Sequence, residues 1–364
     1  MIPIWKKDLD SKKIKRLINF SILHKHISEG MMTSKAEKEI SKLLKVKHTV
    51  MVTSGTAALL IAMISIGLKE NDTILIPERA WISVLNAATI LKLKVITIDV
   101  KKDKPIIDEN ILQNIKLKVK AIVVVHIGGR ACEMKKILKI AKNKKIKIIE
   151  DTAQAFGSKY DNKNLGTYGD IGCFSLSMAK TITSGQGGFL VTNKSELFEK
   201  IKKIKNNGLI DVMDIKNYGE LGLNFKYTDI AASILLTELK RFKMYSRKMV
   251  NLYNLYKKDI ISSSSFYVLD INLKKGELPQ YIEIICKKRN EYIKYMSKYN
   301  IQCRKFYPSM SNSKFANSYT KKKLNDDLFS KNGVFLPAGT HQKLSDIKKV
   351  ISLTNTFIKK NLRN

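Results

Sequence analysis

The chain has 364 residues, 44% of them hydrophobic and only 6 proline, so it is long enough for a large α/β domain plus a smaller one and too apolar to be disordered or fibrous. Its formal net charge of +35 raises the question of polyanion binding, but of 67 Lys and Arg residues only eight are arginine, which leaves 59 lysines scattered from end to end. Lys, Ile and Asn are abundant together, as an AT-rich coding bias produces, and the charge reads as a solvated surface with no nucleic-acid partner.

The first residues, MIPIWKKDLDSKKIKRL, lack the apolar core of a leader, and no 18-residue apolar stretch occurs, so a cytoplasmic protein with no membrane span is expected. From about residue 34 to 205 helical and strand-like periodicities alternate. KAEKEISKLL reads as helix, HTVMVT as strand, AALLIAMISIGL as helix, DTILIP as strand and LNAATILK as helix. KVITIDV, AIVVVHI, the helical MKKILKIAKN and KIKIIED continue the series, and GCFSLS and GGFLVTN read as two strands around a lysine-bearing loop. This alternation predicts an α/β fold with a mostly parallel sheet of roughly seven strands flanked by helices.

After Gly208 the pattern changes to one or two long helices over 227–259, followed by a serine run at 262–265. YIEIICK as strand, KKRNEYIKYMSKYN as helix, the extended IQCRKFYP and a last helix near LSDIKKVISLTNTFIKK predict a small C-terminal α/β domain. The expected division is a large domain over 1–245, with an N-terminal arm, and a small one over 246–364. Cys132, Cys173, Cys286 and Cys303 form no CxxC pair and no His stands at ligand spacing, so neither a metal site nor disulfides are expected.

In open α/β sheets ligands sit at the carboxyl ends of strands, and the unusual residues fall there repeatedly. Thr53-Ser54-Gly55-Thr56-Ala57-Ala58 is a strand-to-helix turn of small residues suited to phosphate, although alone it reads equally as an N-capped helix start. No GxxxxGKS or strand-linked GxGxxG is present, which disfavours a nucleotide cradle of those kinds. Asp151 ends an apolar strand and needs a cationic or donor partner; by itself it fits a helix cap or an ion pair as well. Lys180 stands in SLSMAKTITSGQGG, a stretch otherwise free of charge, where removal from water would lower its proton affinity and free the amine to form an imine. In isolation it would be one more surface lysine.

Taken together, SGTAAL, the stretch from Pro77 to Ala87, HIGG at 126–129, IEDTAQAFG, GDIGCFSLSMAK, GQGGFLVTN and LGLNFKYTDIAA resemble, in order and spacing, the DegT/DnrJ/EryC1/StrS sugar aminotransferases. The resemblance covers nearly the whole chain. It implies the pyridoxal-phosphate-dependent transferase type I fold and pyridoxal 5'-phosphate as cofactor. Lys180 then carries the cofactor as a Schiff base and shuttles a proton, and Asp151 keeps the pyridine nitrogen protonated. Gly55, Thr56 and Ala57 correspond to the phosphate cup and Ser175 to a further phosphate ligand. Gln154 corresponds to a contact on the ring's 3-hydroxyl side and Trp81 to a stacking aromatic, for which plain core packing is the competing reading. Asn224 corresponds to a residue that reaches a neighbour's cofactor, which implies a homodimer with shared sites; a helix cap is its alternative. His126 fits a structural histidine equally well.

The implied reaction passes an amino group from glutamate or glutamine to a nucleotide-linked keto sugar, for amino-sugar and surface polysaccharide synthesis, with Arg304 and Tyr307 near the substrate. Two other classes stay open: a sugar dehydratase on the same fold, for which histidine in place of Lys180 is the family's pattern, and a non-catalytic, nucleic-acid-binding relative. Lys226 and Asn71 depart from the family's usual Arg and Gly.

Overall fold

The computed structural model describes residues 1–24, 27–209, 220–314 and 324–361. In chain order these form α1 (Ser11–Leu23), α2 (Met31–Leu44), β1 (His48–Val52), α3 (Gly55–Ser65), β2 (Thr73–Pro77), α4 (Ser83–Ile90) and β3 (Lys94–Ile98). There follow α5 (Glu109–Gln113), β4 (Ala121–Val125), α6 (Met134–Lys144), β5 (Lys147–Asp151), the hairpin β6 (Lys159–Tyr160) and β7 (Lys163–Asn164), β8 (Ile171–Ser175), β9 (Gly188–Thr192) and α7 (Ser195–Lys205). The C-terminal part contains α8 (Asp229–Asp259), β10 (Phe266–Val268), β11 (Ile282–Cys286), α9 (Arg289–Lys298), β12 (Arg304–Lys305), α10 (Leu324–Asn332), β13 (Gly333–Leu336) and α11 (Leu344–Asn361).

Seven strands pair in the order β1-β9-β8-β5-β4-β2-β3, with β9 the single strand that runs against its neighbours. Strands such as AIVVV are apolar throughout because both faces of the sheet are covered, and the period of two divides each strand between separate cores. Ile74, Ile76, Val123 and Val125 pack with the apolar side of α3 and α4. Leu75, Ile122 and Val124 pack on the other face with Leu112, Ile137 and Ala141. Nearer β1, Met51, Phe174, Phe189 and Val191 meet α2 and the start of α8.

Helix α8 joins the two halves. Its first turns bury Ala232, Leu235 and Leu236 under the large sheet, and its later turns bury Met249, Tyr253 and Tyr256 in the C-terminal core. Thr228 caps it by accepting from the Ala231 N–H, while Asp229 accepts from the N–H groups of Gly30, Met32 and Thr33 and so starts α2. The C-terminal half carries an antiparallel sheet, β10-β11-β13-β12, where the sequence patterns marked only YIEIICK and the loosely extended IQCRKFYP. The N-terminal arm lies along it, with Ile2 bridged to Ile301 and Trp5 to Ala338.

A buried ion pair fastens the two halves: Arg130, in the loop after β4, meets Glu283 of β11 and donates from Nε to the Asp270 carbonyl (2.9 Å). Removing one partner strands the other charge in the interior. Arg130→Met is therefore expected to lower the unfolding free energy by about 3–5 kcal/mol in a denaturant titration, and a midpoint equal to wild type would contradict this.

Candidate active site

Loops at the carboxyl ends of β1, β2, β5 and β8 and at the small sheet's edge close around a cavity of about 330 Å³. Helix α3 opens toward it. Ser54 accepts the Ala57 N–H (3.0 Å) and so caps the helix, leaving Gly55 and Thr56 on the cavity wall at its positive end. The backbone reaches this position because two side chains are missing. A Cβ on Gly55 would stand 2.9 Å from Ser175 Cβ, and one on Gly188 would stand 2.5 Å from the Ser54 carbonyl carbon. Ser175, at the end of β8, thereby lies against the first turn of α3.

Asp151 ends β5, is 5% exposed and accepts the Ala153 N–H at Oδ1 (3.0 Å). Burial raises its carboxyl above the usual range, against the lowering influence of that N–H, Lys180 and His126. Gln154 is held by its Oε1, which accepts the Gly128 N–H (3.0 Å); this is what the HIGG stretch contributes to the site. Lys180 lies in the loop between β8 and β9. Burial holds its amine below the ordinary lysine range, although Tyr307 and Asp151 act to raise it, and among the described residues its Nζ makes no ion pair. An amine whose proton affinity is lowered by burial thus shares one cavity with the buried carboxyl group of Asp151, with a helix N-terminus at one wall. That donor set suits a planar group bearing an aldehyde, a basic ring nitrogen and a phosphate.

The other expected residues divide. Trp81 lines the cavity, half-exposed, edge-on to Tyr307 with ring centroids 4.9 Å apart. Arg304 and Tyr307 also line it, with the guanidinium 5.6 Å from the Tyr307 ring and 4.9 Å from that of Phe335. Ala57 is buried behind the cavity and its amide is spent on Ser54. Asn224 lies apart from the cavity, exposed, in a backbone bridge with Asn206. His126 is fully buried behind the site, donating from Nε2 to Glu150 (3.0 Å) and accepting the Cys132 N–H at Nδ1 (3.3 Å).

Tyr281 was not singled out in the sequence. It lines the cavity with its ring centroid 6.0 Å from Lys180 Nζ, and burial pushes its hydroxyl up to about 12. Ser177, Gln186 and Gly187, from the lysine's own loop, complete that side.

Sheet order, site and lysine together define a pyridoxal-phosphate-dependent transferase of the aspartate aminotransferase type. The family model for the DegT/DnrJ/EryC1/StrS aminotransferase family matches residues 8–354, and the chain belongs to that family. Its cofactor is accordingly pyridoxal 5'-phosphate. A GDP-perosamine synthase of Escherichia coli is 34% identical over 263 residues, covering 72% of each chain. A UDP-4-amino-4,6-dideoxy-N-acetyl-beta-L-altrosamine transaminase of Campylobacter jejuni is 30% identical over 277 residues, covering 74% of this chain and 73% of that one. Among solved structures, the Helicobacter pylori aminotransferase PseC superposes with a TM-score of 0.92 at 22% identity, over 98% of this chain and 99% of that one. A GDP-4-keto-6-deoxymannose-3-dehydratase superposes at 0.86 with 21% identity, over 97% of this chain and all of the other, so the fold by itself does not separate amino transfer from dehydration.

Proposed function

We propose that the chain transfers an amino group from glutamate or glutamine to a keto sugar carried on a nucleoside diphosphate, with Lys180 as the cofactor's covalent anchor. The observation that carries this is the convergence of Lys180, Asp151 and the capped start of α3 on one cavity. It is supported by the nucleotide-sugar aminotransferases among the relatives and by lysine, not histidine, at position 180.

Bound there, pyridoxal phosphate supplies a ring that takes up the electrons left when a proton departs from the substrate carbon. Asp151, buried and in need of a cation, holds a proton on the ring nitrogen. The amide of Thr56, the hydroxyl of Ser175 and the helix end receive the phosphate, while Gly55 contributes its lack of a side chain. Gln154, fixed by Gly128, would contact the 3-hydroxyl of the bound group, and Trp81 would supply an aromatic surface for its ring. Lys180 Nζ moves the proton at the reacting carbon. Arg304 and Tyr307 meet the acceptor, where a guanidinium suits a diphosphate. Asn224, exposed and outside the lining of its own cavity, serves the site of a second copy, which makes the working unit a cytoplasmic homodimer that needs neither nucleic acid nor membrane. No helix among the described residues is long and apolar enough to cross a membrane.

Incubation with glutamate and a panel of GDP- and UDP-linked keto sugars is expected to yield 2-oxoglutarate and amino sugar in equal amounts. Loss of a sugar hydroxyl without amino transfer would point to the dehydratase reading instead. Two smaller effects follow from the same geometry. Gly55→Ala forces α3 off Ser175 and is expected to weaken cofactor retention on dialysis by about tenfold, whereas retention equal to wild type would remove Gly55 from the phosphate wall. Because only the neutral amine attacks an aldehyde, the rate of reloading stripped protein should rise with pH and level off below 10.5, the ordinary lysine value; a rate still climbing through 10.5 would contradict a lowered Lys180.

A further inference from the structure

Two side chains with no part in the chemistry above hold the backbone on both sides of Lys180. Gln280, just before β11, donates from Nε2 to the Ala179 carbonyl (2.7 Å). Its Oε1 accepts from the Thr181 hydroxyl (2.6 Å) and the Thr181 N–H (3.2 Å). Lys7, in the N-terminal arm, donates from Nζ to the carbonyls of Lys180 (3.1 Å) and Thr181 (2.9 Å). With the Lys180 N–H bonded to Ser177 O (3.0 Å), the carbonyls of residues 179, 180 and 181 and the amides of 180 and 181 are all engaged.

The Lys7 ammonium also sits 2.8 Å from Glu238 Oε2 of α8, and the two side chains are 1% and 0% exposed. The Tyr245 hydroxyl, 2.8 Å from both Glu238 Oε1 and the Asp8 carbonyl, closes the group together with the Arg241–Asp8 pair. Burying such a pair costs desolvation that its mutual attraction only partly offsets, so stability alone does not account for it. What it delivers is a charged donor with two carbonyls of one short loop as its targets.

Both grips come from the same side of the molecule. The arm that carries Lys7 is bridged to Ile301 and Ala338 beside the small sheet, and Gln280 leads into that sheet's β11. A lysine amine hangs from four rotatable bonds, so its reach is only as well defined as the Cα that carries it. We infer that Lys7 and Gln280 are positioning residues, which register the Lys180 backbone against the arm and the small sheet and so aim its amine into the cavity. The inference rests on the proposed role of Lys180 as the cofactor's anchor.

The test uses two independent variants of the full chain, each measured free of cofactor and again after loading with pyridoxal phosphate. The double variant Lys7→Met with Glu238→Gln removes the grip without leaving a lone buried charge, and Gln280→Met removes the other grip. In the cofactor-free protein, amide hydrogen exchange over residues 177–184 is expected to quicken about tenfold in each, with the rest of the chain unchanged. In the loaded protein, kcat is expected to fall by about tenfold to a hundredfold while the KM for donor and acceptor stays within about twofold, since substrate contacts are intact and only the amine's aim is lost. Wild-type exchange over 177–184 in both variants, or losses that follow KM or global melting, would overturn the inference. Borohydride trapping of the cofactor at a lysine other than 180 in the wild-type protein would instead overturn the reading beneath it.

Discussion

Lys180→Ala is expected to lower amino transfer by about 10⁴-fold or more while leaving the fold and the thermal transition near wild type. On the proposed function, two roles disappear together: the covalent anchor, and the amine that moves the proton at the reacting carbon. The side chain makes no ion pair among the described residues, and its loop is held by backbone contacts to Lys7 and Gln280 that alanine preserves, so little stability rests on it. Glutamate-dependent formation of 2-oxoglutarate measures the loss. Turnover within tenfold of wild type would remove Lys180 from the chemistry.

Asp151→Asn is expected to cost about 10³-fold in kcat with the cofactor still attached. The amide keeps the size of the carboxylate and retains an oxygen for the Ala153 N–H, so packing changes little. It carries no charge to hold a proton on a buried ring nitrogen, and electron withdrawal weakens accordingly. The signature is loss of kcat with an intact cofactor absorbance band. An active variant would assign Asp151 to plain structural capping, the alternative its strand-end position leaves open.

The large sheet was legible because its strands are short apolar runs separated by amphipathic helices, and the two periodicities are unambiguous in stretches such as AIVVV and MKKILKIAKN. Helix α7 was equally readable in principle, with Leu197, Ile201 and Ile204 on one buried face, but its lysines mask the stripe. Strands β10, β12 and β13 have four residues or fewer, too few to show alternation, and their pairing is set by tertiary neighbours. Cavity-lining residues next to their strand or helix, such as Gly55 and Asp151, were reachable because the topology places strand ends at one rim, whereas Ser175 came only from the family resemblance. Tyr281 was not, since its place in the cavity depends on how the small sheet docks. Nor did local sequence reveal that Lys7 lies under the loop of a residue 173 positions away.

One lysine among 59 is expected to bear the cofactor. Loading the protein with pyridoxal phosphate, reducing it with borohydride and mapping the adduct by peptide mass tests this directly. A single modified peptide, with the added mass on Lys180, is the predicted result. An adduct spread over surface lysines, or concentrated on another one, would contradict it.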